Sequence, residues 1–476
     1  MSESSAADSP QNPLHERYAS TEMRRLFSTR HRYLLWRRLW IVLAESQREL
    51  GLPITADQIA RLESVAADLD LERVAAIERE TRHDVVAHLR HFAEQAGEAG
   101  GILHLGATSA FITDNADSIL SRDALKLIER RLGGVIRTLA LFADRTRSIP
   151  TLGYTHLQPA QLTTVGKRAS LWLQDLVSDL AEVRRRLAEF RCRGAKGTTG
   201  TQASYLALFD GDHDAVRRLD ETIAAKLGFT ASWPLTGQTY PRKQDSQVLA
   251  TLAGIAESTH KMGTDIRLLQ GLGVLAEPFD ASQVGSSAMA YKRNPIRSER
   301  MCALARRLIT DSLNGPLTAA TQWLERSLDD SANRRLVLPD SFLVADAVLA
   351  VATSVATGMT VRDGAVRHLV ERELPFMATE NILMRAVKHG GDRQALHEKL
   401  RQYSLEAHQA VERGKENPLV GRLAADPDFA LSDDDVKSLL DPVAYIGRAP
   451  EQVKEFLADL ARLDLPENVE LETLRV

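Results

Sequence analysis

Residues 285–295 read GSSAMAYKRNP and gather more chemical potential than any other stretch of the chain. Gly285 frees the backbone, and Ser286 and Ser287 supply hydroxyls and backbone N–H groups. Lys292 and Arg293 bring positive charge just before the chain stops at Pro295. This combination suits a mobile catalytic loop that bends over a ligand and stabilises an anionic transition state.

Three other segments could join it. In residues 81–88 (TRHDVVAH) a guanidinium, an imidazole and a carboxylate are adjacent at Arg82, His83 and Asp84, although the same pattern would serve as a solvated helix face. Asp84, His88 and His91 share a helix face at offsets a metal could use. No further Cys or HExxH pattern accompanies them, so no metal site is expected. Residues 104–109 (HLGATS) set the hydroxyls of Thr108 and Ser109 after a permissive Gly106, with Asp114 and Asn115 following. Paired hydroxyls can bind a carboxylate or phosphate; alternatively this is an ordinary turn before a helix, with Ser109 as its cap. In residues 153–161 (GYTHLQPAQ), His156 stands among hydrogen-bonding side chains, and its near-neutral pKa suits proton transfer. A lone loop histidine is more often merely structural.

Helices must position these segments, because apolar residues recur at helical spacing almost throughout. Trp36, Leu39, Trp40, Leu43 and Leu50 form one stripe that should stop at Gly51 and Pro53, and Thr55 with Gln58 reads as a capping box for the next helix. Leu176, Leu180, Val183, Leu187 and Phe190 predict a helix over about 167–193, roughly 40 Å long. Val248, Leu252, Ile255, Met262, Ile266 and Leu269 predict a second. A third begins near Arg297, and a fourth pattern runs after Pro316 through Trp323 and Leu328 and beyond Pro339. Sustained period-2 alternation is absent. Long helices with apolar stripes must bury them on one another, so the expected fold is all-α, an elongated bundle. Three helical domains are expected: 1–111 with a disordered start over about 1–13, a central bundle over 112–360 carrying the catalytic loop, and 361–476. The loose GxGxxA match at Gly271, Gly273 and Ala276 follows a helical stripe where a nucleotide fold needs a strand, so it is set aside.

Composition limits the partners. The 476 residues include 44% hydrophobic and 26% charged residues, a soluble globular balance. A formal net charge of −4 argues against nucleic-acid binding, and an anionic substrate would need local Arg and Lys clusters. Cys192 and Cys302 cannot make a disulfide framework, which fits a reducing compartment. With no apolar run of membrane-spanning length and no leader pattern, the expectation is a cytoplasmic protein without a membrane partner.

The GSSAMAYKRNP segment resembles the GSSxMPxKxNP loop of the fumarase/aspartase superfamily, and its YKRNP ending most resembles the adenylosuccinate lyase branch. The HLGATS and THLQPAQ segments stand in the order and approximate spacing of that superfamily's shared regions. Further matching stretches are RYAS from Arg17, KGTTGTQ from Lys196, GQTY from Gly237, ERSLDDSANRR from Glu325 and ELPFMATEN from Glu373. The resemblance covers nearly the whole chain. It implies β-elimination of fumarate from adenylosuccinate, giving AMP, and from the succinylocarboxamide ribotide SAICAR, giving AICAR, with no metal or organic cofactor. By this resemblance Ser286 is the base and His156 the acid, while Lys292 and Asn294 hold the carboxylate that gains charge. His83 assists near the phosphate and leaving-group end. Arg17, Tyr18, Arg82, Asp84, Thr108, Ser109, Gln238, Arg300, Arg326, Ser331 and Arg335 are implied to bind the nucleotide and succinyl group. A homotetramer whose active sites draw on three subunits is implied as well. The alternatives are another fumarate-releasing lyase, such as argininosuccinate lyase, and a non-catalytic crystallin-like homologue. Ala290 departs from the pattern, which places proline there.

Overall fold

The computed structural model describes residues 12–280 and 283–466, so nearly all of the disordered start expected over about 1–13 lies outside the described residues. Ser28 caps the first long helix, α1 (Thr29–Glu49), by accepting from His31 N, and Trp36, Leu39, Trp40 and Leu43 are buried along it. The helix ends where anticipated, with Gly51 at φ +98°. Thr55 and Gln58 then form a reciprocal capping box on α2 (Ala56–Val65). Next come α3 (Leu71–Thr81) and α4 (Asp84–Ala96), separated only by Arg82 and His83. Arg82 adopts the left-handed conformation at φ 54°, which reverses the chain sharply.

The bundle is built from α5 (Ser109–Arg145), α6 (Val165–Glu189), α7 (Lys243–Gly271), α8 (Ile296–Asp311) and α9 (Asp329–Gly358). Their apolar faces form one continuous core with the N-terminal helices. Glycine permits two close approaches between bundle helices. A Cβ on Gly166 would stand 2.3 Å from the Ala143 carbonyl oxygen, and one on Gly263 would stand 2.8 Å from Cys302 Sγ. Helix α9 has a mean hydropathy of 1.8 over an 18-residue window, long and apolar enough to cross a membrane. As 83% of that window is buried inside the protein, the apolar character serves the core. Beyond it, α10 (Asp363–Met377) and α11 (Arg393–Glu412) lead into a second cluster around Ile382, Leu396, Leu400, Leu419, Leu423 and Phe429.

Three sequence expectations need correction. The helix expected over 167–193 spans Val165–Glu189, because Phe190 turns to an extended conformation and Cys192 bridges to Ser232. The pattern after Pro316 is not continuous: a short helix, Asn314–Ala320, ends before α9 begins at Asp329. Trp323, Leu324 and Leu328 between them are 73%, 96% and 73% exposed, so their spacing mimics a buried stripe without forming one. Finally, β1 (Pro150–Thr155) and β2 (Gln158–Thr164) make an antiparallel hairpin where a plain loop was expected. Besides it, the described residues contain only the short pair Leu275–Ala276 and Thr360–Val361, and the fold is all-α.

Candidate active site

A cavity of about 460 Å³ opens where α1, the α3–α4 turn and the N-terminal ends of α5, α7 and α9 converge. His83, Asp84, Thr108, Ser109, Gln238, Arg326, Ser331 and Arg335 line it, so the structure brings together eight of the residues singled out by sequence. His83 occupies the cap position of α4, with Nε2 3.2 Å from Ser109 Oγ and Nδ1 3.5 Å from Asp84 Oδ1. Asp84 accepts from Val85 N at 2.8 Å and from Arg335 at 2.7 Å. Burial alone would raise the Asp84 pKa, but the Arg335 hydrogen bond, the Val85 N–H and the positive charges nearby outweigh it and hold it below the ordinary range.

The HLGATS turn contributes next. His104 and Gly106 both have positive φ, 66° and 68°. A Cβ on Gly106 would meet the Tyr205 ring at 2.8 Å, so this position needs glycine for space as well as for conformation. Ser109 is not the cap anticipated from sequence. Thr108 holds that position without a side-chain cap bond, and its buried Oγ1 has no hydrogen-bond partner. An unpartnered hydroxyl on a residue that lines a polar cavity has donor and acceptor capacity to spare. His104 accepts from Trp40 Nε1 at Nδ1, 2.9 Å away, and its pKa falls to about 4 through burial and the nearby His83.

One wall of the cavity is a network of buried charges that composition could not reveal. Arg242 donates to both oxygens of Asp114 at 3.1 Å and to Asp330 at 2.5 Å. Arg334 donates to Asp245 and to Tyr240 Oη, each at 2.6 Å, and pairs with Asp117 at 3.1 Å. The Tyr240 backbone N–H donates to Asp114 at 2.9 Å. Burial would raise the Asp114 pKa, yet Arg242 and Arg334 hold it below normal. Alongside, the fully buried Arg193 donates to the Gln238 carbonyl at 2.6 Å and to Gly197 O at 2.7 Å. These bonds fix the segment carrying Gln238. Sequence reasoning did not single out Arg32, Tyr33, Thr113, Asp117 and Arg334, which also line the cavity. A signal existed in the i, i+4, i+8 spacing of Ser109, Thr113 and Asp117, which shows one helix face to the site.

The remaining sequence candidates are not among the residues lining this cavity, although Arg82 directly precedes His83. His156 is exposed at the hairpin tip, and both it and Leu157 have positive φ, 53° and 59°. Such a two-residue turn with no glycine is strained. The half-buried Ser286 accepts at Oγ from Ala288 N at 3.3 Å and Met289 N at 3.1 Å, while Lys292 is exposed on the same loop. Asn294 Nδ2 donates to Gly285 O at 3.0 Å, so part of its amide braces the loop. Arg300 lies over the Tyr18 ring at 5.8 Å, and the exposed Arg17 precedes Tyr18 in the single turn Leu14–Tyr18. The side chains considered for a metal are engaged separately: His88 packs at a tilt against Tyr33 with centroids 3.8 Å apart, His91 Nε2 accepts from Asp70 N, and Asp84 pairs with Arg335.

Comparison with known proteins gives this arrangement a context. Residues 17–310 match the Lyase family, and residues 375–456 match the adenylosuccinate lyase C-terminus family. The chain is 48% identical to an adenylosuccinate lyase of Saccharomyces cerevisiae over 454 residues, covering 94% of each chain. It is 49% identical to one of Schizosaccharomyces pombe, covering 94% of this chain and 93% of that one. Among solved structures, a fumarate lyase from Mesorhizobium sp. BNC1 superposes with a TM-score of 0.80 at 25% identity, over 94% of this chain and 100% of the other. A 3-carboxy-cis,cis-muconate lactonizing enzyme from Pseudomonas putida gives 0.82 at 24% identity, over 95% and 99%, and shares the fold.

Proposed function

We propose a function from one premise: this chain belongs to the adenylosuccinate lyase family. It is a carbon–nitrogen lyase that eliminates fumarate from adenylosuccinate to leave AMP, and from SAICAR to leave AICAR, in purine nucleotide biosynthesis. The observation that carries the reading beyond similarity is the pairing of an Arg-, His- and hydroxyl-lined cavity with a projecting loop whose serine oxygen already accepts two backbone N–H groups. Arg326 and Arg335 can meet phosphate or carboxylate with their planar forks, and Thr108, Ser109 and Ser331 can add neutral hydrogen bonds.

The elimination needs a base to remove a proton next to a carboxylate, and Ser286 takes that role. A serine is a weak base, so its alkoxide must be stabilised, and the Ala288 and Met289 N–H groups with the Lys292 charge supply what is required. Lys292 and Asn294 receive the carboxylate on which negative charge grows. His156 protonates the departing nitrogen. His83, held between Ser109 and Asp84, assists at the phosphate end. Arg82 and Asp84 shape that end, while Arg17, Tyr18, Gln238 and Arg300 complete the substrate contacts. No metal or organic cofactor enters these steps.

In this reading the acid and base of one chain serve cavities of neighbouring copies in a homotetramer. The exposure of His156 supports it, as do Trp323, Leu324 and Leu328, which the described residues leave largely exposed. We also retain the division at about 111 and 360 into N-terminal, bundle and C-terminal domains, and a cytoplasmic location. Incubating the purified protein with adenylosuccinate, SAICAR and argininosuccinate while following fumarate release tests the assignment. Release from the first two is expected. Preference for argininosuccinate would move the assignment to another lyase, and no release from any would favour a non-catalytic homologue.

A further inference from the structure

We infer that Glu277 and Gln270 are positioning residues for the catalytic loop, clamping its incoming leg to its outgoing leg and so setting where Ser286 and Lys292 stand. Glu277, only 6% exposed, follows the short strand Leu275–Ala276 at the start of the loop. Its carboxylate reaches across to the other end. Oε1 accepts from Arg297 N at 2.9 Å, and Oε2 accepts from both Ser298 N and Ser298 Oγ at 2.9 Å. These donors lie in the first turn of α8, whose cap residue Pro295 offers no side-chain cap bond. A helix leaves its first N–H groups unsatisfied and favours negative charge there. Here the acceptor comes from the opposite leg of the loop, so satisfying the helix end also closes the loop's base.

Gln270, at the end of α7, adds a second tie. Its Oε1 accepts from Glu277 N at 2.9 Å, and its Nε2 donates to Arg293 O at 3.0 Å. One buried amide thus joins the residue that opens the loop to the residue beside Lys292. Arg297 extends the frame, donating to Asp280 on the incoming leg and to Ser354 on α9, each at 2.6 Å. Higher up, a Cβ on Gly285 would stand 1.9 Å from Lys292 O, so the two legs nearly touch. With the base fixed at both ends, the geometry of Ser286 and Lys292 depends on the clamp. Displacing a reacting group by about 1 Å can cost on the order of 100-fold in rate.

The inference rests on the reading of Ser286 as the base, and its test separates the two. Glu277→Gln sets an amide N–H against one of the helix donors, and Gln270→Glu sets a carboxylate oxygen against Arg293 O; both nearly preserve shape. Each full-length variant is measured for kcat and KM with adenylosuccinate, for trypsin cleavage after Lys292 and Arg293 without substrate, and for thermal midpoint. The expected result is a kcat lower by at least about 10-fold with KM changed less than about threefold, and faster loop cleavage at a midpoint within a few degrees of the unaltered protein. The inference is overturned if kcat stays within about threefold in both variants, or if loop cleavage is unchanged. Should one variant fail to fold, the other decides by the same criteria. A fully active Ser286→Ala would remove the base assignment while leaving the cleavage result to judge the clamp.

Discussion

Ala290→Pro probes the proposed catalytic loop at the one position where it departs from the GSSxMPxKxNP pattern. Lys292 N donates to Met289 O at 3.0 Å, which closes a turn with Ala290 as its second residue. That is the position where proline's fixed φ near −65° is favoured. Ala290 is exposed and is not among the residues with positive φ. Neither is its N–H among the hydrogen-bond donors of the described residues. Proline should therefore remove unfolded-loop conformations without native strain and favour the ordered loop by about 0.4–1 kcal/mol. With tenfold corresponding to about 1.4 kcal/mol, this is roughly a 2- to 5-fold effect. The readouts are a KM for adenylosuccinate lowered by that factor and slower trypsin cleavage after Lys292 and Arg293. A tenfold or greater fall in kcat/KM would refute the argument, because the turn during catalysis would then need a backbone that proline forbids, and the placement of Lys292 and Asn294 on the carboxylate would fall with it.

Ser286→Ala and His156→Ala should each lower turnover by at least about 100-fold while the protein stays folded, and near-normal kcat in either would end that role. Mixing the two inactive variants with verified subunit exchange should restore part of the activity; a mixture that stays inactive would exclude shared sites. Asp114→Asn should destabilise by about 3–5 kcal/mol in chemical denaturation, since it leaves Arg242 poorly compensated inside the protein. The Asp114 pKa is depressed in the fold, so its stabilisation is present above about pH 4 and is lost as pH falls further; the variant should show a shallower acid limb. Asp179 behaves oppositely. Burial, with Asp175 and Glu257 nearby and Ser258 opposing, raises its pKa from 3.8 to about 6, so stability falls as pH rises between those values. Asp179→Asn should leave stability unchanged near pH 4 and raise it at pH 8 by at most about 3 kcal/mol; equal effects at both pH values would refute this.

What was legible in the sequence depended on how local its cause was. The Thr55–Gln58 box and the stop at Gly51 are set by adjacent residues, and both formed as read. The hairpin carrying His156 gave no comparable signal, because its tip is His156-Leu157 and not the Asn-Gly type that usually announces such a turn. Its strands also lack clean alternation of burial, as they rest partly on α10 and partly face outward. The charges of Asp114, Arg242, Asp330 and Arg334 could not be told from a solvated face, since their partners come from three different segments. Motif matching found the cavity's rim at His83, Thr108, Ser109 and Arg335, whereas the groups beneath it required the fold.

That hidden network bears on how the site can work. Buried ion pairs contribute little stability relative to well-packed apolar side chains, so energy alone does not explain why Asp114, Asp245 and Asp330 face Arg242 and Arg334. Their bonds do join α5, the start of α7 and the start of α9 at the cavity wall, and Asp114 also holds Tyr240 N, two residues from Gln238. A cradle for a polyanionic nucleotide must keep several cationic and hydroxyl groups in place before the ligand arrives, because moving them during the reaction would raise its barrier. The proposed acid and base have a different requirement. His156 stands on a strained turn that the hairpin pairing and the Arg168 bond to Leu152 O hold in place, and Ser286 stands on a loop closed at its base. His156 is exposed and Ser286 half-buried on the chain that carries them. On the proposed assembly, a copy that loses its neighbours keeps its cradle and core yet has no acid or base above its own substrate, so dissociation should abolish turnover before it unfolds the protein.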